Sequence, residues 1–260
     1  MAGFGRRIEI MSPTYDDAPY AIRPDIAAAH DHAWRHIASP GTWLTGARRV
    51  AVAAETRNAA ACALCRERKA ALSPYTVGGT HDSLGELPDD IVEMIHRIAT
   101  DPGRITQSWV EGLIGGGIAE TDYVEMVGVI AHWLCVDTFT DALGMPRHAL
   151  PDPVAGEPSR VLPQGARKDT AWLPTIPPEN ADETLLAIYP RNIGDAPNVP
   201  HVRRAMSLVP EEAISFFALN DVQYLPPEAM WNVPINPRSI TKSQVELLAS
   251  RVSSLNGCFY

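Results

Sequence analysis

Apolar residues recur at helical spacing through most of the first 145 positions. Across residues 23–39 the segment RPDIAAAHDHAWRHIAS alternates its faces as an amphipathic helix does, with Pro24 tolerated in the first turn. A short SPGTW turn leads to residues 45–72, TGARRVAVAAETRNAAACALCRERKAAL, which hold ten alanines and no breaker beyond Gly46. Thr45 is the natural N-cap, since its hydroxyl can accept an otherwise unpaired backbone N–H. The pattern predicts one unbroken helix over 45–72. Its small side chains suit it to be the buried spine of a helical domain. A loop rich in Gly, Ser and Thr follows. Helices are then predicted over 88–100, with an apolar stripe of Ile91, Met94, Ile95 and Ile98, over 105–114, and over the strongly apolar 121–143. No segment of this half shows a convincing strand pattern, so the predicted fold class is all-α.

From residue 149 to 200 the texture changes. Ten of the 23 prolines fall there, a density that breaks helices and central strands. This predicts a linker or an extended surface arm between a helical domain over 1–148 and a second helical segment over 201–260. Residues 1–23 read as a loosely structured arm.

Composition narrows the function classes. The formal charge of −9 argues against a broad nucleic-acid or anionic-membrane surface, which needs clustered Lys and Arg. No apolar run approaches the ~20 residues that span a bilayer, and the N-terminus lacks the apolar core of a secretory signal. Four cysteines in 260 residues do not make a disulfide-stapled secreted domain. The expected setting is a reducing cytoplasm, where a C-x-x-C pair is redox-active or metal-binding more often than structural.

That pair is Cys62 and Cys65. On a helix the i,i+3 spacing puts both sulfurs on one face. Glu55 shares that face, but a straight helix leaves it about 10 Å from Cys62 along the axis. An unbroken helix also places the thiols far from a helix N-terminus, although Arg66, Arg68 and Lys69 supply positive charge. Three readings stay open, a redox dithiol, a pair of structural thiols and, as the least supported, a metal site. His132, on the long apolar helix, is either a satisfied core histidine or a polar group near the thiols. Cys135 on the same helix reads as a buried small hydrophobe. His81 is a loop residue that could act as a lone helper. His30, His32 and His36 read as an exposed polar face rather than a metal site. No metal or cofactor is expected, because a closed zinc site takes four ligands and no second C-x-x-C or C-x-x-H occurs. Neither G-x-S-x-G nor a phosphate-binding G-x-x-x-x-G-K-[ST] is present.

The last stretch, ITKSQVELLASRVSSLNGCFY, aligns with the opening spine. Setting Cys258 on Cys62 also sets Thr241 on Thr45, so each copy has a threonine cap, an apolar-small helix and a cysteine seventeen residues beyond the cap. This predicts a diverged internal duplication. The segment NPRSITKSQVELLASRVSSLNGCFY resembles the region before the active site of alkylhydroperoxidase D-like proteins, of the carboxymuconolactone decarboxylase superfamily. Their motif is a Glu, eleven residues, then C-x-x-C-x-x-x-H, and Glu246 and Cys258 stand at the Glu and first-Cys positions. HVRRAMSLVPEEAISFF resembles the peroxidase-related branch of the same family. The sequence ends at Tyr260, one residue before the second cysteine would fall, and it is expected to be a fragment of a longer protein. In the first half Val50 stands at the family's Glu position and Lys69 at its His position, with Glu55 the nearest acidic substitute.

The resemblance implies a helical bundle and a thiol-dependent peroxidase that reduces organic hydroperoxides. Together with the reading of the residues themselves, it makes Cys62, Cys65, Glu55, His132, Glu246 and Cys258 the candidate catalytic residues. A dithiol reductant protein and homo-oligomeric assembly through helical faces follow from the same likeness. The competing expectation is a non-redox, decarboxylase-like member or a helical oligomerisation module with inert thiols.

Overall fold

The computed structural model describes residues 12–189, 199–232 and 234–258. Most of the N-terminal arm, part of the Pro-rich segment and the last two residues lie outside them. Eleven α-helices are present among the described residues: α1 Pro24–Ala38, α2 Gly46–Ala59, α3 Ala63–Ala70, α4 Asp89–Thr100, α5 Gln107–Gly115, α6 Glu120–Ala142, α7 Glu183–Ile188, α8 His201–Arg204, α9 Pro210–Gln223, α10 Pro227–Trp231 and α11 Lys242–Leu255. The extended pairing among them is a single antiparallel bridge, Arg167 to Thr175. The fold is all-α. No helix of the described residues is long and apolar enough to cross a membrane.

The core forms where α1, α2, α4, α6 and α9 pack on one another. Trp34 of α1 stacks on Trp133 of α6 with ring centroids 4.5 Å apart, and both are fully buried. Ile91, Met94 and Ile95 point the stripe of α4 into this core, and Ile98 packs at its margin. Each fully buried side chain of this size contributes roughly 1.5–3 kcal/mol, which outweighs the modest helix propensity of such β-branched residues. Small residues set the helix spacing. A Cβ on Gly128 of α6 would lie 2.3 Å from a carboxylate oxygen of Glu212 on α9, so only glycine lets these helices meet.

Two expectations change. Of the two readings of the Pro-rich segment, its described residues form the extended arm rather than a free linker. Val154 N–H donates to Ala38 O at 2.8 Å and Arg160 N–H to Thr42 O at 2.8 Å, so the chain is laid along the α1–α2 connection. Ile176, Leu185 and Tyr189 are buried, and α7 packs on α9. Proline prevented long helices there without preventing burial, because side chains of an extended segment still reach a core. The boundary at residue 200 also fails to separate folding units, since α9 belongs to the same core as α1 and α6.

The proposed duplication has a structural counterpart. α2 and α11 are both fourteen residues long and both are capped by a threonine hydroxyl, which accepts from Arg48 N–H in one case and Gln244 N–H in the other. Each helix ends three residues before its cysteine. They differ in environment: α2 is central, whereas α11 has no buried residue, and Leu247, Leu248, Val252 and Leu255 on it are exposed.

Candidate functional site

The spine predicted over 45–72 is two helices. α2 stops at Ala59, Ala61 N–H and Cys62 N–H turn back to the carbonyls of Asn58 and Ala59, and α3 starts at Ala63 with Cys62 as its N-cap residue. No glycine or proline forces this. The loop 72–88 supplies competing hydrogen bonds: Asp82 carboxylate accepts Ala63 N–H at 2.7 Å, and Asn58 Nδ2 donates to Asp82 O at 2.5 Å. With its donors met from outside, the backbone gains nothing by continuing the helix. Gly79, at φ +155°, brings this loop against Leu64, where a Cβ would sit 3.0 Å from a methyl group. The far end of α3 is closed by Arg104, whose guanidinium donates to the carbonyls of Arg68, Lys69 and Ala71.

The break puts Cys62 at the cap and Cys65 in the first turn, where unpaired N–H groups and the helix dipole favour a thiolate. Two histidines converge on them. His81 of the loop places Nδ1 3.5 Å from both sulfurs, and His96 of α4 places Nδ1 3.2 Å from Cys65 Sγ. Each ring has a carboxylate behind it: His81 Nε2 donates to Glu93 at 2.8 Å and His96 Nε2 to Glu55 at 2.8 Å. Glu93 also accepts from Arg68 at 2.6 Å. Glu55 is held by Asn58 Nδ2 and Leu84 N–H as well. Cys62 is fully buried and Cys65 is 4 % exposed.

Burial alone would raise the Cys65 thiol, but the bonds from His81 and His96 outweigh it and bring its pKa down to about 6. Burial would lower His81, and the facing Cys65 and Glu93 instead lift it to about 10. Against the raising effect of burial, His81 and Arg68 take Glu93 down to about 2. His96 is raised as well, because Cys65 and Glu55 overcome its burial. The arrangement is a pair of thiols faced by two imidazoles, with carboxylates outside them. A cavity of about 290 Å³ opens beside it, lined by Gly79, Thr80, His81, Ser83, Asp89, Val92 and Glu93.

The sequence candidates divide. Cys62, Cys65 and Glu55 come together, although Glu55 reaches the sulfur through His96 rather than directly. His132 does not join them. It lies on the face of α6 toward α9, where Nδ1 donates to Gly128 O at 2.7 Å and Nε2 accepts from Ser215 Oγ at 2.9 Å. Glu246 accepts from Tyr224 hydroxyl at 2.8 Å, and Cys258 is exposed at the end of α11. Cys135 is half-buried, and desolvation pushes its thiol up to about 11. His81 is a member of the cluster rather than a lone helper. His96 and Glu93 were not anticipated, because the stripe of α4 accounts for that helix without them. The signal was there: Glu93 and His96 are three residues apart on one face, and His96 falls within the apolar stripe.

A second buried polar cluster ties α1, α2, α6 and α9. Arg49 Nη1 donates to Glu125 and to Glu212, each at 2.6 Å, and His36 Nε2 meets Glu212 at 2.9 Å. This corrects the reading of the α1 histidines as an exposed polar face. His30 is buried between Tyr15 and Gln223 and His36 is mostly covered, leaving His32 exposed. No family model, curated protein or solved structure matches the chain.

Proposed function

We propose that Cys62 and Cys65 form a redox-active dithiol that reduces small organic hydroperoxides, with Cys65 as the attacking thiolate and Cys62 as the resolving thiol. One observation carries the reading: the Cys65 sulfur is held by two histidine nitrogens, each backed by a carboxylate, at the first turn of a helix. A thiol peroxidase needs a stabilised thiolate, a proton donor for the leaving alkoxide and a second thiol close by. All three are present within the cluster. The resemblance to alkylhydroperoxidase D-like proteins points the same way, and Glu55 and His96 supply an acidic residue and a histidine that the local motif lacks at Val50 and Lys69.

In the proposed cycle Cys65 thiolate attacks the terminal, hydroxyl-bearing oxygen of the hydroperoxide, the O–O bond breaks, and a protonated histidine delivers its proton to the departing alkoxide. The products are an alcohol and a sulfenic acid on Cys65. Cys62 thiol then attacks that sulfur, a disulfide forms and water leaves. An external dithiol reduces the disulfide by exchange and restores both thiols. In this reading a small hydroperoxide enters by way of the cavity lined by His81 and Glu93.

The test is hydroperoxide-dependent oxidation of dithiothreitol by the metal-free, reduced chain, with cumene hydroperoxide as substrate. Cys65→Ser is expected to reduce turnover by about 100-fold or more, since serine is not ionised at neutral pH. Cys135→Ser is expected to leave it unchanged. Equal turnover by Cys65→Ser and the unaltered chain removes the pair from the mechanism and leaves the non-redox reading.

A further inference from the structure

We propose that Cys62, Cys65, His81 and His96 also form a closed, tetrahedral binding site for one zinc ion. The donor set that short spacing could not supply is assembled in space from the α2–α3 junction, the loop 72–88 and α4. The two sulfurs and the two Nδ1 atoms all lie within 4.8 Å of one another. Zinc bonds of about 2.3 Å to sulfur and about 2.0–2.1 Å to nitrogen imply tetrahedral S···N edges of about 3.6 Å. Three of the four S···Nδ1 distances are 3.5, 3.5 and 3.2 Å. With every pair of the four atoms within 4.8 Å, the side chains stand close to the spacing that a zinc ion imposes.

The outer partners agree. Both imidazoles turn Nδ1 inward and commit Nε2 to a carboxylate, Glu93 for His81 and Glu55 for His96. A metal-bound histidine usually carries this kind of partner, which fixes the tautomer and leaves the inward nitrogen as the ligand. Two thiolates with two imidazoles suit zinc, whereas magnesium and calcium take oxygen donors. All four positions are filled by protein, which describes a structural site rather than an open catalytic one.

The site also lies where the fold buries little apolar surface. Around α3 the apolar cluster consists of Cys62, Leu64 and Cys65 with Val77 against it, separate from the main core. A segment that buries so little apolar surface gains most from a metal cross-link. The other grouping of metal-capable side chains, His36, His132 and Glu212, has the Arg49 guanidinium on Glu212, and that cation opposes a second one.

This inference does not depend on peroxide chemistry. It adds that zinc and hydroperoxide compete for the same thiolates, so that the metal-loaded chain is redox-silent. Cobalt(II) titrated into the reduced, chelator-treated full chain is the test. The expected result is one cobalt per chain, the visible absorption of a tetrahedral ion with a thiolate charge-transfer band, and displacement of both by zinc. Cys65→Ser and His96→Ala should each weaken binding by about 100-fold, and Glu55→Gln and Glu93→Gln by about 10- to 100-fold. Cys135→Ser and Cys258→Ser should not change it. The unaltered chain decides the matter even where a variant does not fold. An octahedral spectrum, a missing thiolate band, or binding unaffected after the Cys62–Cys65 disulfide is formed overturns the proposal. If zinc binds and the metal-free, reduced chain consumes no hydroperoxide, the peroxidase reading fails alone. The reverse result removes the metal site alone.

Discussion

The chain buries two clusters of histidine and carboxylate, and they are built for different ends. Around Arg49 every charge is answered by another inside the helix bundle: one guanidinium lies between Glu125 and Glu212, and His36 closes on Glu212. Around Cys65 the same residue types surround sulfur, at the end of a helix and beside a cavity. The first cluster contains no nucleophile and joins four helices. The second contains two nucleophiles and joins a short helix and a loop to α2 and α4. Buried charge by itself therefore does not tell the two apart; the polarisable sulfurs at a helix start do.

Breaking the ion cluster should have the largest effect on stability. Arg49→Met leaves two carboxylates buried without their cation, and roughly 3–5 kcal/mol should be lost in urea denaturation. Arg68→Met, with Glu93 still partly open to solvent, should cost under ~1 kcal/mol.

Acid should act on the ion cluster next. Burial, reinforced by the nearby His36, lowers His132 from 6.5 to about 4, so the folded protein holds it neutral. Arg49 and His36 keep Glu212 below the usual carboxylate range despite its burial. Both groups are depressed in the folded state, so their stabilisation is full above their unfolded pKa values and declines as pH falls below 6.5. On the order of 2–3 kcal/mol should be lost between pH 7 and pH 4. His132→Gln should flatten that slope when unfolding is followed by circular dichroism. Gly128 O, Ser215 and Arg49 are its other near partners and do not titrate in this window.

The thiol cluster should be sharpened by its reactivity instead. In the reduced, metal-free chain, iodoacetamide labelling of Cys65 should rise through about pH 6, against about 8.5 for an ordinary thiol. Cys135, with its thiol pushed up to about 11, should remain unlabelled through neutral pH. Peptide mass mapping across a pH series reads both, and a Cys65 that labels only above pH 8 contradicts the histidine assignment.

The smallest effect compares the two capped helices. Thr45→Ala removes the cap of a helix in the core and should cost about 1 kcal/mol. Thr241→Ala affects a helix with no buried residue, so its loss should appear as local fraying of α11 in hydrogen exchange and leave the midpoint of unfolding nearly unchanged.

Much of the fold was readable from periodicity. The stripe of Ile91, Met94 and Ile95, the caps at Thr45 and Thr241, and the apolar run of α6 each fix an element within one or two residues, because local spacing alone determines which face is apolar. The Pro-rich segment was misjudged because proline density reports local conformation and says nothing about burial. The thiol site was half readable. Cys62, Cys65 and Glu55 stand close together in the chain, but no local rule breaks a helix at Ala-Ala-Ala, and the sequence left His132 open as a partner.

Helix identity, the C-x-x-C pair and the shared pattern of α2 and α11 were determined by the sequence alone, through propensity and period. The helix break was decided by tertiary structure, because Asp82 offers Ala63 the hydrogen bond that the helix would otherwise have made. The same folding brought His81 and His96 to the sulfurs from positions 16 and 31 residues beyond Cys65. Separations of that length carry no periodic signal. Only the packing of α4 and its preceding loop against α3 sets those distances.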